Sequence, residues 1–216
     1  MGFCIFASSG ETLFVREEFI AAIKSNQAAF KIEVTDPTIE RLADYYELVL
    51  ESNPILHLVG PCSPEEFATR HILESLTLLE FLPTNTRFAD IGPGAGLPSI
   101  PCLMAREDLS AVLIESKEKK AVFLRGAIEK CALADLATVI DRQFSEIKRP
   151  DVSHVTCRAL DKFILNLPRL VKWSGGAALL FFGGPALKQE LEKRNVRYER
   201  RLMPRSNHRY LFKFSQ

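Results

Sequence analysis

The chain has 216 residues, 47% of them hydrophobic and 25% charged, with 28 Lys and Arg against 27 Asp and Glu. Those fractions suit an ordinary folded protein and exclude a disordered or membrane-dominated one. Five scattered cysteines without a C-x-x-C pair (Cys4, Cys62, Cys102, Cys131 and Cys157) signal neither a disulfide framework nor a zinc site, and a reduced, cytoplasmic protein is expected.

The amino-terminal run MGFCIFASSG lacks a basic n-region and is closed by Glu11, which argues against a signal peptide, and no apolar stretch is long enough to span a membrane. Residues 16 to 52 read as two amphipathic helices, the second opening at Asp36–Pro37, with breaks at Asn53–Pro54 and Gly60–Pro61. A third helix opens at Ser63 with Pro64 at its first position and Glu66 completing a capping box, and it stops before Pro83. The charge along the chain is uneven. From Glu11 to Glu66 the balance is −7, and from Leu191 to Gln216 it is +6, so the basic end is a candidate phosphate-binding segment.

From Arg87 onward short apolar runs alternate with helical patterns. Strands are predicted at RFADI, AVLIES, ATVID, HVTCRA and AALLFF, with helices near 98 to 106, 119 to 132, 161 to 172 and 185 to 195. Strict alternation implies a parallel sheet covered on both faces. YERRLMP and RYLFKFS follow with no helix between them and are expected to form an antiparallel hairpin at the sheet edge. The fold class expected is therefore α/β with the outline of a class I methyltransferase: a seven-stranded Rossmann-like core over 85–216, preceded by a helical extension over 1–84.

The first strand runs into FADIGPGAGLPSIPC, a turn where backbone amides and a helix start converge at the carboxyl end of a parallel strand. Gly92, Gly94 and Gly96 make G-x-G-x-G, whereas a dinucleotide fingerprint needs its third glycine at Leu97. Pro93 removes an amide from the turn and Asp90 brings a carboxylate to its entrance, which favours a cationic ligand such as S-adenosylmethionine over a pyrophosphate. No G-x-x-x-x-G-K-[ST] occurs, so a P-loop is excluded. Glu115, at the end of the second strand, is spaced to accept hydrogen bonds from a ribose.

DIGPGAGLPSIP, LIESKEKKAVFLR, VTCRA and the upstream ATRHILESL together resemble the glucose-inhibited division protein B family, the RsmG-type methyltransferases of small-subunit ribosomal RNA. The resemblance runs from about Asn53 to the carboxyl end. It implies methyl transfer from S-adenosylmethionine to N7 of a guanine in 16S rRNA, on naked RNA or the small ribosomal subunit; a monomer without a metal is expected. It places Gly92 and Leu97 against the cofactor, Phe144 and Ser145 beside the adenine, and Arg158 beside the reacting centre, as the catalytic residue. Arg70 and His71, on the third helix, and Arg205 and Arg209, near the last turn, are candidates for contact with RNA. Local pairing with Glu74 is the simpler reading of Arg70 and His71.

Guanine N7 carries an in-plane lone pair and no proton, so no general base is needed. The D-P-P-Y type motif of amine methylases is replaced by C-R-A-L-D, and the Pro-Cys pairs at Cys62 and Cys102 lie away from that strand end, while Cys157 should point into the core. The chain departs from the family pattern at His57 and Val59, where asparagine and threonine are usual, at Glu115, where aspartate is, and at Gly183, where lysine is. Those departures leave open a divergent methyltransferase of another RNA or a small molecule, or a non-catalytic RNA-binding relative.

Overall fold

A computed structural model describes residues 9–158 and 163–215, with side chains from residue 14 onward. Cys4, Glu11 and Asp161 lie outside the described side chains. Helix α1 spans Ser9–Asn26, and α2 spans Asp36–Leu56. The cap of α2 is Thr35 and not Asp36: its hydroxyl accepts from the Thr38 amide at 3.4 Å, while Asp36 pairs with Lys24 at 2.8 Å. Nor does α2 break at Pro54. It continues to Leu56 and ends on His57, whose φ of 48° is the left-handed cap conformation that Asn and His tolerate best. The Asn53 side chain closes the turn, bonding the Val59 amide at 2.9 Å and the Val59 carbonyl at 3.1 Å.

The third helical stretch starts at the predicted Ser63 cap, whose Oγ accepts from the Glu66 amide at 3.1 Å, while the Glu66 carboxylate pairs with Arg70. It is not a uniform α-helix. A short α3 (Pro64–Glu66) passes into a π-turn (Phe67–Leu73), then α4 (Glu74–Leu76) and a 3₁₀ turn (Thr77–Phe81). Wide turns of this kind leave helix carbonyls open to partners from elsewhere.

The core alternates β1 (Arg87–Ile91), α5 (Ser99–Ala105), β2 (Ser110–Ile114), α6 (Glu118–Lys130), β3 (Ala137–Ile140), β4 (His154–Arg158), α7 (Phe163–Ser174), β5 (Ala178–Gly183) and α8 (Pro185–Lys193). The hairpin strands β6 (Tyr198–Leu202) and β7 (Tyr210–Phe214) complete a sheet of order β3-β2-β1-β4-β5-β7-β6. The first five strands are parallel, and β7 is inserted antiparallel between β5 and β6. The order reverses between β1 and β4, which opens a crevice at their carboxyl ends.

Strand alternation sorts the core into two layers. Ala89, Ile91, Val155 and Cys157 face one side with α7 and α8. Phe88, Leu113, Leu180 and Phe182 face the other, in a continuous cluster with Phe19, Tyr46 and Phe67 of the amino-terminal helices. Asp90 and Arg158 share the parity of that second layer and so lie beneath the helical extension. Cys102, Cys131 and Cys157 are buried and Cys62 is half-buried.

Candidate functional site

A cavity of about 720 Å³ opens at the carboxyl ends of β1, β2 and β4 and takes its far wall from the turn after β3. It gathers Gly92, Gly94, Leu97, Glu115, Phe144, Ser145, His71 and Arg158 from widely separated stretches of the chain. Leu58, Val59 and Gly60, which follow α2, form its rim.

The glycine turn is held from three sides. The Gly92 amide bonds the Ile114 carbonyl at 2.9 Å, Tyr45 from α2 donates its hydroxyl to the Ala95 carbonyl at 2.7 Å, and Glu115 accepts from the Gly94 amide at 3.1 Å. The second Glu115 oxygen accepts from the Lys117 amide at 2.9 Å. Glu115 is thus a buried carboxylate fixed by backbone donors, with its remaining lone pairs in the cavity wall. Phe144 and Ser145 sit in a 3₁₀ turn (Phe144–Glu146) beyond β3, where Phe144 packs edge-on against Trp173 at 5.8 Å.

Two of the loop residues have other work. Gly96 does not line the cavity. At its φ of 96° a Cβ would lie 2.8 Å from Ile100 Cγ1 and 3.3 Å from Leu124 Cδ2, so this glycine lets the turn close onto α5 and α6. Gly96→Ala is expected to cost roughly 2–4 kcal/mol through strain and overpacking, lowering Tm by roughly 5–15 °C in a thermal melt. A melt unchanged by the substitution would show that α5 yields without cost.

Asp90, expected to contact the cofactor, also stays out of the cavity lining. It is fully buried below the turn, with Oδ2 accepting from Ser99 Oγ at 2.6 Å and Oδ1 without a hydrogen-bond partner among the described residues. Burial pushes its pKa up to about 8, against the pull of the Ser99 bonds. At neutral pH it is a proton-bearing brace for the start of α5, and the carboxylate in the cavity wall is Glu115. Because the folded form holds the proton more tightly than the unfolded chain does, this stabilisation is full below the ordinary carboxylate range and is lost as pH rises towards 8. Asp90→Asn should therefore flatten the fall of Tm between pH 5 and pH 8. Parallel Tm profiles for the two proteins would refute the assignment.

Arg158 lies at the cavity but is turned towards the helical extension. Nη1 donates to Ser75 Oγ at 2.9 Å and the His71 carbonyl at 3.4 Å, and Nη2 to the Arg70 carbonyl at 2.5 Å and Glu74 at 3.4 Å. Its guanidinium also lies 5.3 Å from the Phe182 ring centroid, on the neighbouring strand. Four donor contacts to the π-turn and α4 tie Arg158, expected as the catalytic residue, to the helical extension at the edge of the cavity. Its carboxylate partner among the described residues is Glu74.

Arg70 and Glu74 do not pair with each other. Arg70 bonds Glu66 one turn back, and the buried Glu74 is shared between Arg158 and Arg209, the latter at 2.7 Å. Arg205 pairs with Glu65 at 2.8 Å and bonds Asn26 at 2.9 Å, while Arg201 bonds Glu80 and the Phe30 carbonyl. Three cations of the basic end, Arg201, Arg205 and Arg209, are therefore spent on carboxylates of the amino-terminal segment. His71 reaches the cavity as a neutral imidazole, its pKa pushed down to about 3 by burial and then by Arg158, Arg70 and Arg209.

Of the departures from the family pattern, His57 is a helix cap whose carbonyl accepts from Lys120 Nζ at 3.1 Å, and Val59 is a cavity-rim residue. Gly183 leaves no room for a longer side chain, since a Cβ there would stand 2.9 Å from Leu187 Cβ. Tyr45, Ser75 and Ser99 were not legible from local sequence. Tyr45 and Ser75 take partners from distant segments, and Ser99 bonds Asp90 across the glycine turn.

The family profile of rRNA small subunit methyltransferase G (GidB) matches residues 38–206. The chain belongs to this family. Relatives named ribosomal RNA small subunit methyltransferase G include that of Chromobacterium violaceum, 32% identical over 142 residues covering 66% of this chain and 68% of that protein. Another, from Pelotomaculum thermopropionicum, is 33% identical over 175 residues, or 78% and 73% of the two chains. Among solved structures, the METTL16 methyltransferase domain aligns with a TM-score of 0.54 at 14% identity, covering 81% of this chain and 96% of that one. The tRNA (m1A58) methyltransferase of Aquifex aeolicus aligns with a TM-score of 0.51 at 13% identity, covering 66% and 68%. These likenesses establish the class I methyltransferase fold, and the GidB family profile covers the cavity and every residue that lines it.

Proposed function

We propose that this GidB-family methyltransferase transfers a methyl group from S-adenosylmethionine to N7 of a guanine in 16S rRNA of the small ribosomal subunit. The observation that carries this reading is a cavity wall without an effective general base among its described residues. His71 has been pushed down to about 3, and both Glu115 oxygens hold backbone amides. N7 presents a lone pair and no proton, so alignment is all that its alkylation requires of the protein.

The cavity residues fit the cofactor. A Cβ at Gly94 would approach nothing closer than Lys120 Nζ at 4.0 Å, so the backbone there faces open space, and Glu115 offers its free lone pairs to ribose hydroxyls. Phe144 and Leu97 supply apolar wall for an adenine. When bound, S-adenosylmethionine supplies an electrophilic methyl group on a sulfonium. The chain's part is to fix the turn through Tyr45 and Glu115 and to hold the His71 segment at the mouth through Arg158.

The same reading divides the chain into a helical extension over 1–84, which covers one sheet face, and a methyltransferase core over 85–216. It takes the protein as a cytoplasmic monomer that needs no metal. Among the described residues no helix is long and apolar enough to cross a membrane, and no group of three His, Cys, Asp or Glu side chains gathers to hold a metal. The test is nucleoside mass spectrometry of small-subunit rRNA incubated with protein and labelled S-adenosylmethionine. Labelled 7-methylguanosine is expected. Cofactor binding without any labelled nucleoside would move the substrate elsewhere, to another RNA or a small molecule.

A further inference from the structure

The strand tips give the cavity a direction. Ile114 of β2 and Cys157 of β4 both stand opposite Ile91 of β1, so the residues that follow these three, Glu115, Arg158 and Gly92, form one row across the tips, with about 5 Å from strand to strand. Phe144 and Ser145, past β3, extend the row beyond Glu115. With Glu115 on the ribose and Phe144 against the adenine, the sulfonium end of the cofactor points towards the tip of β4.

His71 belongs to that end of the cavity. It lines the wall, and its carbonyl accepts from Arg158 Nη1 at 3.4 Å and from Ser75 Oγ at 2.5 Å. The π-turn carries it there: the Glu74 amide bonds the Thr69 carbonyl five residues back, a widened turn of the kind that concentrates at functional sites. The imidazole packs on Phe67, with 5.2 Å between ring centroids, and among the described residues neither ring nitrogen has a hydrogen-bond partner. Burial and the charges of Arg158, Arg70 and Arg209 keep the ring neutral, so it brings one N–H, one lone pair and no charge to the cavity.

The major-groove edge of guanine carries two acceptors side by side, N7 and O6. N7 must keep its lone pair for the methyl group, so a protein that aligns this edge has O6 to hold. A neutral donor suits the task better than a cation. It fixes the base without adding positive charge beside the sulfonium and without drawing away the electron density that N7 supplies.

We propose that the His71 imidazole donates a hydrogen bond to O6 of the target guanine and so sets the N7 lone pair in line with the methyl group. This deepens the guanine-N7 reading and rests on it. As the N7–methyl bond forms, the sulfur–methyl bond breaks with its electron pair left on sulfur, and the positive charge passes to the guanine; His71 keeps its proton throughout.

The test compares His71→Phe and His71→Gln with the wild type, each checked for matched melting and for S-adenosylmethionine binding by calorimetry. Single-turnover formation of labelled 7-methylguanosine in deproteinised small-subunit rRNA is expected to fall about 100-fold in His71→Phe, the cost of a misaligned edge, with cofactor affinity within about twofold of the wild type. His71→Gln keeps an N–H donor and should recover about tenfold of that loss, the worth of one hydrogen bond. In complexes with S-adenosylhomocysteine, N7 of the target guanine should be protected from dimethyl sulfate by the wild type and open in His71→Phe. The wild-type rate should be level between about pH 5.5 and 7, because the ring is uncharged throughout that span. His71→Phe methylating within about threefold of the wild type, a loss that tracks weakened cofactor binding, or a wild-type rate that falls in acid along an ordinary imidazole titration each overturns the proposal and leaves the methyltransferase reading intact. A wild-type protein that binds the cofactor yet forms no 7-methylguanosine overturns both.

Discussion

Replacing Glu74 by glutamine is expected to destabilise the protein by roughly 3–5 kcal/mol, the cost of stranding buried guanidinium groups without their counter-charge. Glu74 is 2% exposed and serves two arginines from opposite ends of the fold, Arg158 at the tip of β4 and Arg209 beside β7. Burial pushes the Arg158 pKa down, and Glu74 is the chief charge opposing that shift. The amide keeps the shape and one acceptor but leaves two cations facing each other. Tm should fall by roughly 6–20 °C. Arg209→Ala should cost less, since that side chain is 28% exposed and its loss still leaves Glu74 paired with Arg158. If the Glu74→Gln protein melts within 2 °C or so of the wild type, the shared carboxylate is not what pins the extension to the core.

The same cluster marks the boundary of what the sequence discloses. The parallel core was legible because β1 to β5 are short apolar runs separated by helical periods, and the glycine turn because G-x-G-x-G after a strand has few other uses. The π-turn was not, because its wide hydrogen-bonding is sustained by Arg158, which lies 87 residues from His71. Asp90 read as a ligand group from its place beside the glycines. Its parity with Phe88 along β1 puts it instead in the layer that the extension covers, and burial then decides its charge. Charge counting found the acidic and basic ends of the chain but not their partners. Arg205–Glu65 joins them to each other and Arg209 reaches Glu74 of the same helical extension, so part of the basic segment that looked like an RNA grip belongs to an internal seam. Long-range polar pairing leaves no periodic trace, which is why strands and turns were readable and the seam was not.

Replacing Glu115 by alanine is expected to weaken S-adenosylmethionine binding by about 100-fold or more. The carboxylate holds the Gly94 and Lys117 amides, each a charge-assisted bond of about 1.5–3 kcal/mol, and loss of both frees the turn and the start of α6 together. It also removes the acceptor proposed for the ribose. Glu115→Gln separates these contributions, since it keeps the volume and one acceptor but sets an amide N–H against a backbone N–H. Its expected loss is about tenfold, the worth of one such bond. The longer reach of glutamate, where aspartate is usual, is accommodated because the Gly94 amide meets Oε2 at 3.1 Å and the Lys117 amide meets Oε1 at 2.9 Å. Calorimetric titration of proteins with matched melting curves reads the outcome. An alanine variant that binds within about threefold of the wild type would mean that Tyr45 and the Ile114 carbonyl hold the turn without Glu115, and that the ribose is recognised elsewhere.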